Sequence, residues 1–218
     1  MGKKAHWETL YETKASTDVS WYQSTPSRSL ELLTAAGLSP ATTVIDVGGG
    51  DSLLVDALLE RGVRDVTVLD LSGAALRRAR ARLGDRAAEV TWLEDDITAA
   101  VLPEAAYDIW HDRAVFHFLT DQIDRARYVR AATSAVRIGG MLIIATFALD
   151  GPTRCSGLEV ARYSPQDIAA AFGDAFTLKR GLADVHRTPD GGEQRFSYAV
   201  LQRVLPDGTT HAKSQIVT

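Results

Sequence analysis

Three consecutive glycines follow a short apolar run in the sequence Val44-Ile45-Asp46-Val47-Gly48-Gly49-Gly50. A β-branched run that ends in glycines is typical of a buried strand and the turn after it. Glycines at that point let the backbone pass close under a ligand, at the carboxyl edge where open α/β sheets bind their ligands. A glycine turn alone is weak support for a ligand site. Further support must come from the residues that follow the neighbouring strands.

Acidic residues stand at matching places after the next two predicted strands. Asp70 ends the second strand, 20 residues after Gly50, where a carboxylate can accept hydrogen bonds from both ribose hydroxyls. Asp95-Asp96-Ile97 follows the third strand; there a carboxylate could bind the adenine amine and an apolar neighbour could cover the ring. One such aspartate is more often a solubilising or capping residue. Three of them, counting Asp46, at the ends of consecutive strands favour nucleoside binding.

A nicotinamide dinucleotide is the competing ligand for this pattern. Its fingerprint requires a small residue three positions after Gly50, where Leu53 stands. In addition, 42 residues precede the first strand at Thr43, whereas dinucleotide-binding domains usually begin near that strand. We therefore favour an adenosyl ligand, and an oxidoreductase is the last alternative.

The elements that must position these residues alternate along the chain. Apolar runs predict strands at 43–47, 66–69, 90–93, 107–110 and 141–147. Helices are predicted between them: one capped by Asp51 or Ser52 and stopped at Gly62, one from Ser72 to Gly84, and one over 121–136 that is closed by Gly139-Gly140. Strands and helices that alternate at this spacing predict a parallel, doubly wound sheet.

The pattern changes after residue 164. Ser164-Pro165-Gln166-Asp167 predicts a helix start, and segments 176–187 and 194–204 are joined by the turn Pro189-Asp190-Gly191-Gly192, which predicts a hairpin. The predicted fold is α/β: a Rossmann-like, doubly wound, mostly parallel seven-stranded sheet that ends in an antiparallel hairpin. We interpret the chain as one domain, with a helical cap at 1–42, the core at 43–204 and a flexible tail at 205–218.

The composition excludes several classes of protein. The 218 residues are 45% hydrophobic and 24% charged, as in one large globular domain. The net charge of −4 and the lack of a long basic run argue against a nucleic-acid partner. The apolar runs are too short for a membrane span, and the first residues lack a signal-peptide core. The single Cys155 can form neither an internal disulfide nor a zinc site by itself. We expect a cytoplasmic protein with no membrane contact and no bound metal.

These motifs resemble those of the class I S-adenosylmethionine-dependent methyltransferases, over roughly Leu30 to Val204. The segments that carry the resemblance are Asp46–Gly50, Val68–Ser72, Leu93–Ile97, Tyr107–Arg113 and Ile138–Ile143. Ser52 stands where many members have another glycine.

The resemblance implies S-adenosylmethionine as cofactor, with S-adenosylhomocysteine as product. It puts the glycine turn beneath the methionine part, Asp70 on the ribose, Asp96 with Ile97 around adenine, and the segment Trp110-His111-Asp112 beside the sulfonium. The implied cofactor-binding residues are Asp46, Gly48, Gly49, Gly50, Asp70, Leu71, Asp95, Asp96, Ile97 and His111.

A second resemblance concerns the N-terminal region. Trp7 to Tyr11, followed by Asp18-Val19-Ser20-Trp21-Tyr22, is similar to the signature of a subgroup that includes some protein-lysine methyltransferases. From it we take only that Trp21 and Tyr22 lie over the cofactor pocket, as candidate substrate contacts. The alternative is that these aromatic residues pin the leading helix to the core.

Methyl transfer from a sulfonium is an in-line displacement, and much of its rate can come from positioning the two reactants. An acceptor that is protonated at neutral pH also requires a base, for which the candidates are His117, His111 and Asp112. A lone histidine among apolar residues, as His117 is, is more often structural.

Two further residues are candidate substrate contacts. Arg113 could orient a substrate carboxylate with two parallel hydrogen bonds, or it could pair with Asp112 or Asp121. Cys155 lies in a loop bracketed by glycines and a proline, which could cover the acceptor; an incidental cysteine is the alternative.

The expected function is methyl transfer to an oxygen, nitrogen or sulfur atom of a small molecule. Protein-lysine methylation is the alternative, and a cofactor-binding regulatory subunit without catalysis is an alternative of another class. The chain has neither the Asn-Pro-Pro-Tyr motif of amino-directed DNA methylation nor a proline–cysteine nucleophile. Their absence, with the acidic balance, argues further against nucleic-acid substrates.

Overall fold

The computed structural model describes residues 2–205; the predicted tail, apart from Leu205, lies outside them. Over these residues the chain forms six α-helices and nine strands. The helices are α1 (Lys3–Thr13), α2 (Ser27–Ala35), α3 (Leu54–Glu60), α4 (Gly73–Leu83), α5 (Gln122–Ala135) and α6 (Pro165–Phe172). The strands are β1 (Thr43–Val47), β2 (Asp65–Asp70), β3 (Val90–Glu94), β4 (Tyr107–Arg113), β5 (Val136–Phe147), β6 (Arg154–Cys155), β7 (Leu158–Glu159), β8 (Phe176–Arg187) and β9 (Glu193–Arg203).

Seven strands form one sheet in the order β3-β2-β1-β4-β5-β9-β8. The first five are parallel, and β9 pairs antiparallel with both β5 and β8. This arrangement confirms the predicted α/β fold with its terminal hairpin. Strands β6 and β7 form a separate two-stranded ribbon, which the sequence analysis does not anticipate.

Strand β1 lies at the centre of the parallel region, where the strand order reverses. Its Val44 and Ile45 side chains are fully buried, as expected of a strand covered on both faces. In the register of the sheet, Asp46 lies between Val68 of β2 and His111 of β4. The turns that follow β1, β2 and β4 therefore meet at one edge, at the switch point where doubly wound sheets bind ligands.

The glycine pair at 139–140 does not close a helix, and this prediction was wrong. Helix α5 ends at Ala135 and β5 begins with the next residue. Val136 pairs with Tyr107, whereas Met141 pairs with Ile109, so the ladder is irregular between them. Gly139 has φ +83° there, so the glycines mark a bulge in a strand.

Helix starts follow the predictions in most cases. Ser72 caps α4 by accepting the N–H of Ala75 at 3.2 Å, and Ser164 caps α6 in a reciprocal capping box with Asp167. At α3 the prediction of Asp51 or Ser52 as the cap was wrong, because Leu53 occupies the N-cap position and makes no side-chain cap. Ser52 lies one residue earlier and accepts the N–H of Leu54 at 3.1 Å, and Asp51 pairs with an arginine of α4. Among residues 2–205, no helix has both the length and the apolar character that a bilayer crossing requires.

Candidate active site

Two adjoining cavities lie at the carboxyl edge of the sheet. The strand-end cavity is lined by several residues that the sequence analysis assigns to the cofactor or the substrate: Trp21, Gly48, Asp70, Leu71, Asp95, Asp96, Ile97, Arg113 and Cys155. The turn cavity lies beside it and is lined by another set of assigned residues: Trp21, Tyr22, Asp46, Gly48, Gly49, His111 and Arg113. The cavities share Tyr11, Trp21, Gly48 and Arg113.

The glycine turn lies against two carboxylates. Gly48 and Gly50 have φ of +68° and +48°, a region that side chains disfavour. A Cβ at Gly49 would lie 2.6 Å from Oδ2 of Asp46, and one at Gly50 would lie 2.9 Å from Oδ2 of Asp70. Only glycine therefore fits at these positions without displacing an acidic side chain.

Asp70 is a buried acid at the end of β2. Its Oδ1 accepts the N–H of Ser72 at 2.8 Å. Burial raises the pKa of this carboxyl group to about 7, against the hydrogen bond from Ser72, and the nearby charges of Asp46 and Glu8 add to the rise. A buried carboxylate with a raised pKa gains from hydroxyl donors that enter the cavity, because they stabilise its charged form.

The residues after β3 form the far wall of the strand-end cavity. Oδ1 of Asp96 accepts both the N–H of Thr98 at 2.9 Å and its hydroxyl at 2.8 Å, which fixes the carboxylate. Ile97 is buried beside it. The N–H of Asp95 donates to the carbonyl of Asp70 at 3.1 Å, so the acidic groups after β2 and β3 are held next to one another.

His111 is the middle member of a buried hydrogen-bonded chain. Its Nδ1 lies 2.7 Å from Oδ1 of Asp46, and its Nε2 lies 2.8 Å from the hydroxyl of Ser29 on α2. All three residues are buried. Both ring nitrogens are engaged, so His111 orients Asp46 in this structure and has no nitrogen free for a substrate proton.

Asp112 and His117 line neither cavity. Asp112 accepts hydrogen bonds from the Tyr128 hydroxyl at 2.5 Å and from the N–H groups of Val115 and Phe116. Burial nevertheless raises its pKa to about 6. It shapes the turn after β4.

His117 is fully buried between Phe118 and Phe147. Its Nδ1 accepts the N–H of Phe147 at 3.3 Å. Burial, with a smaller effect of the Arg113 cation, lowers its pKa to about 3. It is a neutral core histidine at physiological pH.

Helix α1, within the segment 1–42 that we interpret from the sequence as a helical cap, forms a roof over the strand-end cavity. Its Trp7 and Tyr11 line the strand-end cavity. The ring of Trp7 packs 5.8 Å from Trp21 and 5.1 Å from Phe118, measured between centroids. Aromatic residues four apart share one face of a helix, and this spacing could have placed both over the site. Trp21 both covers the cavity and contacts α1, so both interpretations of it describe real contacts.

Glu8 joins this roof to the floor of the site. Its carboxylate accepts the Ser72 hydroxyl at 3.1 Å and the N–H groups of Gly73 and Ala74, each at 2.9 Å. Partial burial opposes ionisation, but these hydrogen bonds hold the pKa of Glu8 below its ordinary value. The bonds satisfy the free donors in the first turn of α4.

Arg113 and Cys155 lie on the side of the cavities toward β5. Nη1 of Arg113 donates to the carbonyl of Trp21 at 3.2 Å, and its guanidinium lies 4.7 Å from the ring centre of Phe196. It pairs with neither Asp112 nor Asp121, because Asp121 caps α5. Burial raises the pKa of the Cys155 thiol. Within the described ranges, no cluster of three or more His, Cys, Asp or Glu side chains could hold a metal ion.

Comparison with known proteins agrees with this geometry. Residues 44–140 match the family model of a methyltransferase domain. An uncharacterized methyltransferase of Mycobacterium bovis is 38% identical over 108 residues, which are 48% of this chain and 50% of that protein. The chain thus spans about half the length of this curated relative. An eEF1A lysine and N-terminal methyltransferase of Mus musculus is 26% identical over 124 residues, 56% of this chain and 17% of that protein.

The fold is also found among solved structures. The crystal structure of an S-adenosylmethionine-dependent methyltransferase from Anabaena variabilis superposes with a TM-score of 0.73 at 16% identity, over 93% of this chain and 96% of that one. The superposition covers far more of the chain than the residues 44–140 that the family model matches. Residues 44–140 are thus similar to a methyltransferase domain, and the chain shares its fold with S-adenosylmethionine-dependent methyltransferases.

Proposed function

We propose that this protein binds S-adenosylmethionine across the two cavities and transfers its methyl group to a small molecule. The observation that carries the proposal is the convergence of Asp46, Asp70 and Asp96 at one edge of the sheet, around a glycine turn that leaves no room for a Cβ. A nucleoside with vicinal hydroxyls and an exocyclic amine offers further hydrogen-bond donors to Asp70, which is buried, and to Asp96, which is partly buried.

The adenosine half belongs in the strand-end cavity. Asp70 accepts hydrogen bonds from the ribose hydroxyls, and Asp96 accepts one from the adenine amine. Leu71 and Ile97 cover the ring, and Asp95 supports the same wall. The fit rests on the shared cavity of these five residues and on the fixed carboxylate of Asp96.

The methionine half belongs over Gly48, Gly49 and Gly50. Asp46 faces the turn cavity, where its charge suits an ammonium group. His111 and Ser29 hold Asp46 in one orientation. We therefore assign His111 a positioning role.

When bound, S-adenosylmethionine supplies a methyl group attached to a positively charged sulfur. The chain's part is to exclude water with the aromatic roof and to align the acceptor. Asp112 and His117 line neither cavity, and His111 has no free nitrogen, so we propose that none of these three side chains acts as a base. The acceptor then reacts as an atom that is already unprotonated.

We infer that the acceptor is a small molecule, because the two cavities lie beside the aromatic residues of α1 and its neighbour Trp21 rather than on an open flat surface. Trp21, Tyr22, Arg113 and Cys155 are the proposed substrate contacts, since all four line the cavities. Protein-lysine methylation is the second candidate. It is favoured by the similarity to the mouse eEF1A lysine and N-terminal methyltransferase and by the N-terminal signature around Trp21.

The first test is calorimetric titration of the protein with S-adenosylmethionine, S-adenosylhomocysteine and NAD. We expect both adenosyl ligands to bind and NAD not to bind. Tight binding of NAD with no response to the adenosyl ligands contradicts the proposal.

The second test uses labelled S-adenosylmethionine with two sets of acceptors: thiols, phenols, amines and carboxylic acids, and separately eEF1A and peptides with lysine. Label in small molecules supports the proposal, and label in protein alone supports the second candidate. Ligand binding without transfer to either set indicates a regulatory subunit.

A further inference from the structure

The Arg113 guanidinium has donors with no partner. One nitrogen, Nη1, donates to the Trp21 carbonyl at 3.2 Å. The other two, Nε and Nη2, are buried and have no hydrogen-bond partner among the residues that the structure describes. These two nitrogens form the edge of a guanidinium that pairs with both oxygens of a carboxylate.

Two acids that could be considered as partners of Arg113, Asp112 and Asp184, are already paired with other groups. Asp112 accepts hydrogen bonds from Tyr128 and from the turn after β4. Asp184 on β8 pairs with Arg28 at 3.2 Å. Within residues 2–205, no carboxylate lies within salt-bridge distance of Arg113. The phenol of Tyr198 lies near it, and both the charge of Arg113 and a hydrogen bond with it oppose the rise that burial causes in the pKa of Tyr198. A cation that is partly buried without an anion loses hydration and gains little in return.

The position of Arg113 points toward the acceptor side of the site. In the sheet it pairs with Ala145 of β5, and its guanidinium reaches over Phe196 of β9, the strand beyond β5. The acids proposed for the cofactor lie at the ends of β1, β2 and β3, on the other side of β4. Arg113 nevertheless lines both cavities, so an anion held there would lie beside the transferred methyl group.

We propose that Arg113 binds a carboxylate group of the methyl acceptor, so that the substrate is a small carboxylic acid. This inference rests on the proposed function. The Nε and Nη2 donors form two parallel hydrogen bonds to the carboxylate, and Phe196 supports the guanidinium from one face.

The test compares acids with their primary amides, which keep the shape and lose the charge. Mercaptoacetic, phenylacetic and indoleacetic acids and the three matching amides are titrated into the wild-type protein saturated with S-adenosylhomocysteine. Binding is measured by calorimetry and by the shift in melting temperature. We expect at least one acid to bind about tenfold to a hundredfold more tightly than its amide.

Three variants locate the effect. Arg113→Met should remove the preference for acids, and Arg113→Lys, which keeps a charge but not the paired donors, should keep part of it. Arg195→Met is the matched control, because Arg195 precedes Phe196 and pairs with Asp150 at the surface. It should bind like the wild type.

The outcomes separate this inference from the proposed function. Equal affinity of acids and amides for the wild type overturns the inference while S-adenosylhomocysteine still binds. A second outcome also overturns the inference: Arg113→Met loses affinity for S-adenosylhomocysteine but keeps the preference for acids. Arg113 would then hold the carboxylate of the cofactor itself. Failure of the wild type to bind S-adenosylhomocysteine contradicts the proposed function itself.

Discussion

The carboxylate of Glu8, in the first helix of the chain, accepts the N–H of Gly73 at 2.9 Å, at the start of a helix 65 residues further along. The same carboxylate also accepts the Ser72 hydroxyl and the N–H of Ala74. Three donors at the start of α4 therefore have their hydrogen-bond partner in Glu8. The roof of the site is thus attached to the segment directly after Asp70.

Replacing Glu8 should loosen the roof. Glu8→Ala removes three hydrogen bonds to the first turn of α4, and we expect a loss of about 1 to 2 kcal/mol in the free energy of unfolding. Affinity for S-adenosylhomocysteine should fall with it. Urea denaturation and calorimetry measure the two effects. Glu12→Ala, at an exposed position on the same helix, is the control and should leave both unchanged.

The same contact makes a prediction about pH. Because the folded-state pKa of Glu8 is lowered, its stabilising effect is present above the ordinary glutamate pKa and is lost as the pH falls through the lowered value. The stability difference between wild type and Glu8→Ala should therefore be full at pH 7 and shrink in acid. A difference that stays constant from pH 7 to the acid limit of folding contradicts this role.

Asp70 should couple cofactor binding to pH in the opposite sense. Its pKa is raised from 3.8 to about 7, so folding favours the protonated form and stability falls as the pH rises through that interval. Asp70→Asn should then melt higher than the wild type above pH 7, yet bind S-adenosylhomocysteine at least about tenfold more weakly. The wild-type affinity should rise from pH 6 to pH 8, since ribose hydroxyls donate to the charged carboxylate, and the variant should lack this dependence. Equal affinity of variant and wild type would falsify the placement of the ribose.

His111 should prove to be a positioning residue. His111→Phe leaves Asp46 buried without its partner, which should cost about 3 to 5 kcal/mol of stability. Ser29→Ala removes only the distal bond of the chain and should cost about 1 kcal/mol. In a methyl-transfer assay, Ser29→Ala should lower affinity for S-adenosylmethionine and leave the pH dependence of kcat unchanged. If His111→Asn loses the fall of kcat at acid pH that the wild type shows, His111 acts as a base, and the positioning role is ruled out.

Gly50 should tolerate no side chain. An alanine there places Cβ 2.9 Å from the Asp70 carboxylate and 3.0 Å from the Tyr11 hydroxyl, at φ +48°. We expect Gly50→Ala to lose about 1 to 3 kcal/mol of stability and most of its affinity for adenosyl ligands. Gly37→Ala is the matched control: φ there is +93°, but nothing lies within 4 Å. It should lose some stability and no affinity, and equal effects on affinity would mean that the steric argument is wrong.

Local patterns predicted the parallel half of the sheet well. Strand β1 and the turn at Gly48 follow from alternating β-branched residues and from the conformations that glycine allows, both of which are properties of short segments. The acids at Asp70 and Asp96 follow for the same reason, since the carboxyl ends of parallel strands share one edge.

Side-chain direction and distant contacts could not be predicted in this way. His117 was placed near the site because it follows β4. In the structure, its Nδ1 instead accepts a hydrogen bond from the N–H of Phe147, 30 residues away. The glycines at 139–140 looked like a helix stop because a bulge and a stop use the same residue type. The roof depends on Glu8 meeting α4, a contact between segments that no local pattern links.

The attachment of helix α1 should depend on salt. Besides Glu8, the helix is held by ion pairs between Lys3 and Asp124 and between Lys4 and Glu94, at 3.0 and 2.6 Å. Lys4 and Glu94 are exposed, whereas Lys3 lines the strand-end cavity. A nucleoside in the strand-end cavity would lie beside Trp7 and Tyr11 of this helix. Surface ion pairs are weak and are screened by salt. We therefore expect the attachment of α1 to weaken as the ionic strength rises. Lys3 itself lines the strand-end cavity, so loosening of α1 by salt should also change the wall around a nucleoside bound there.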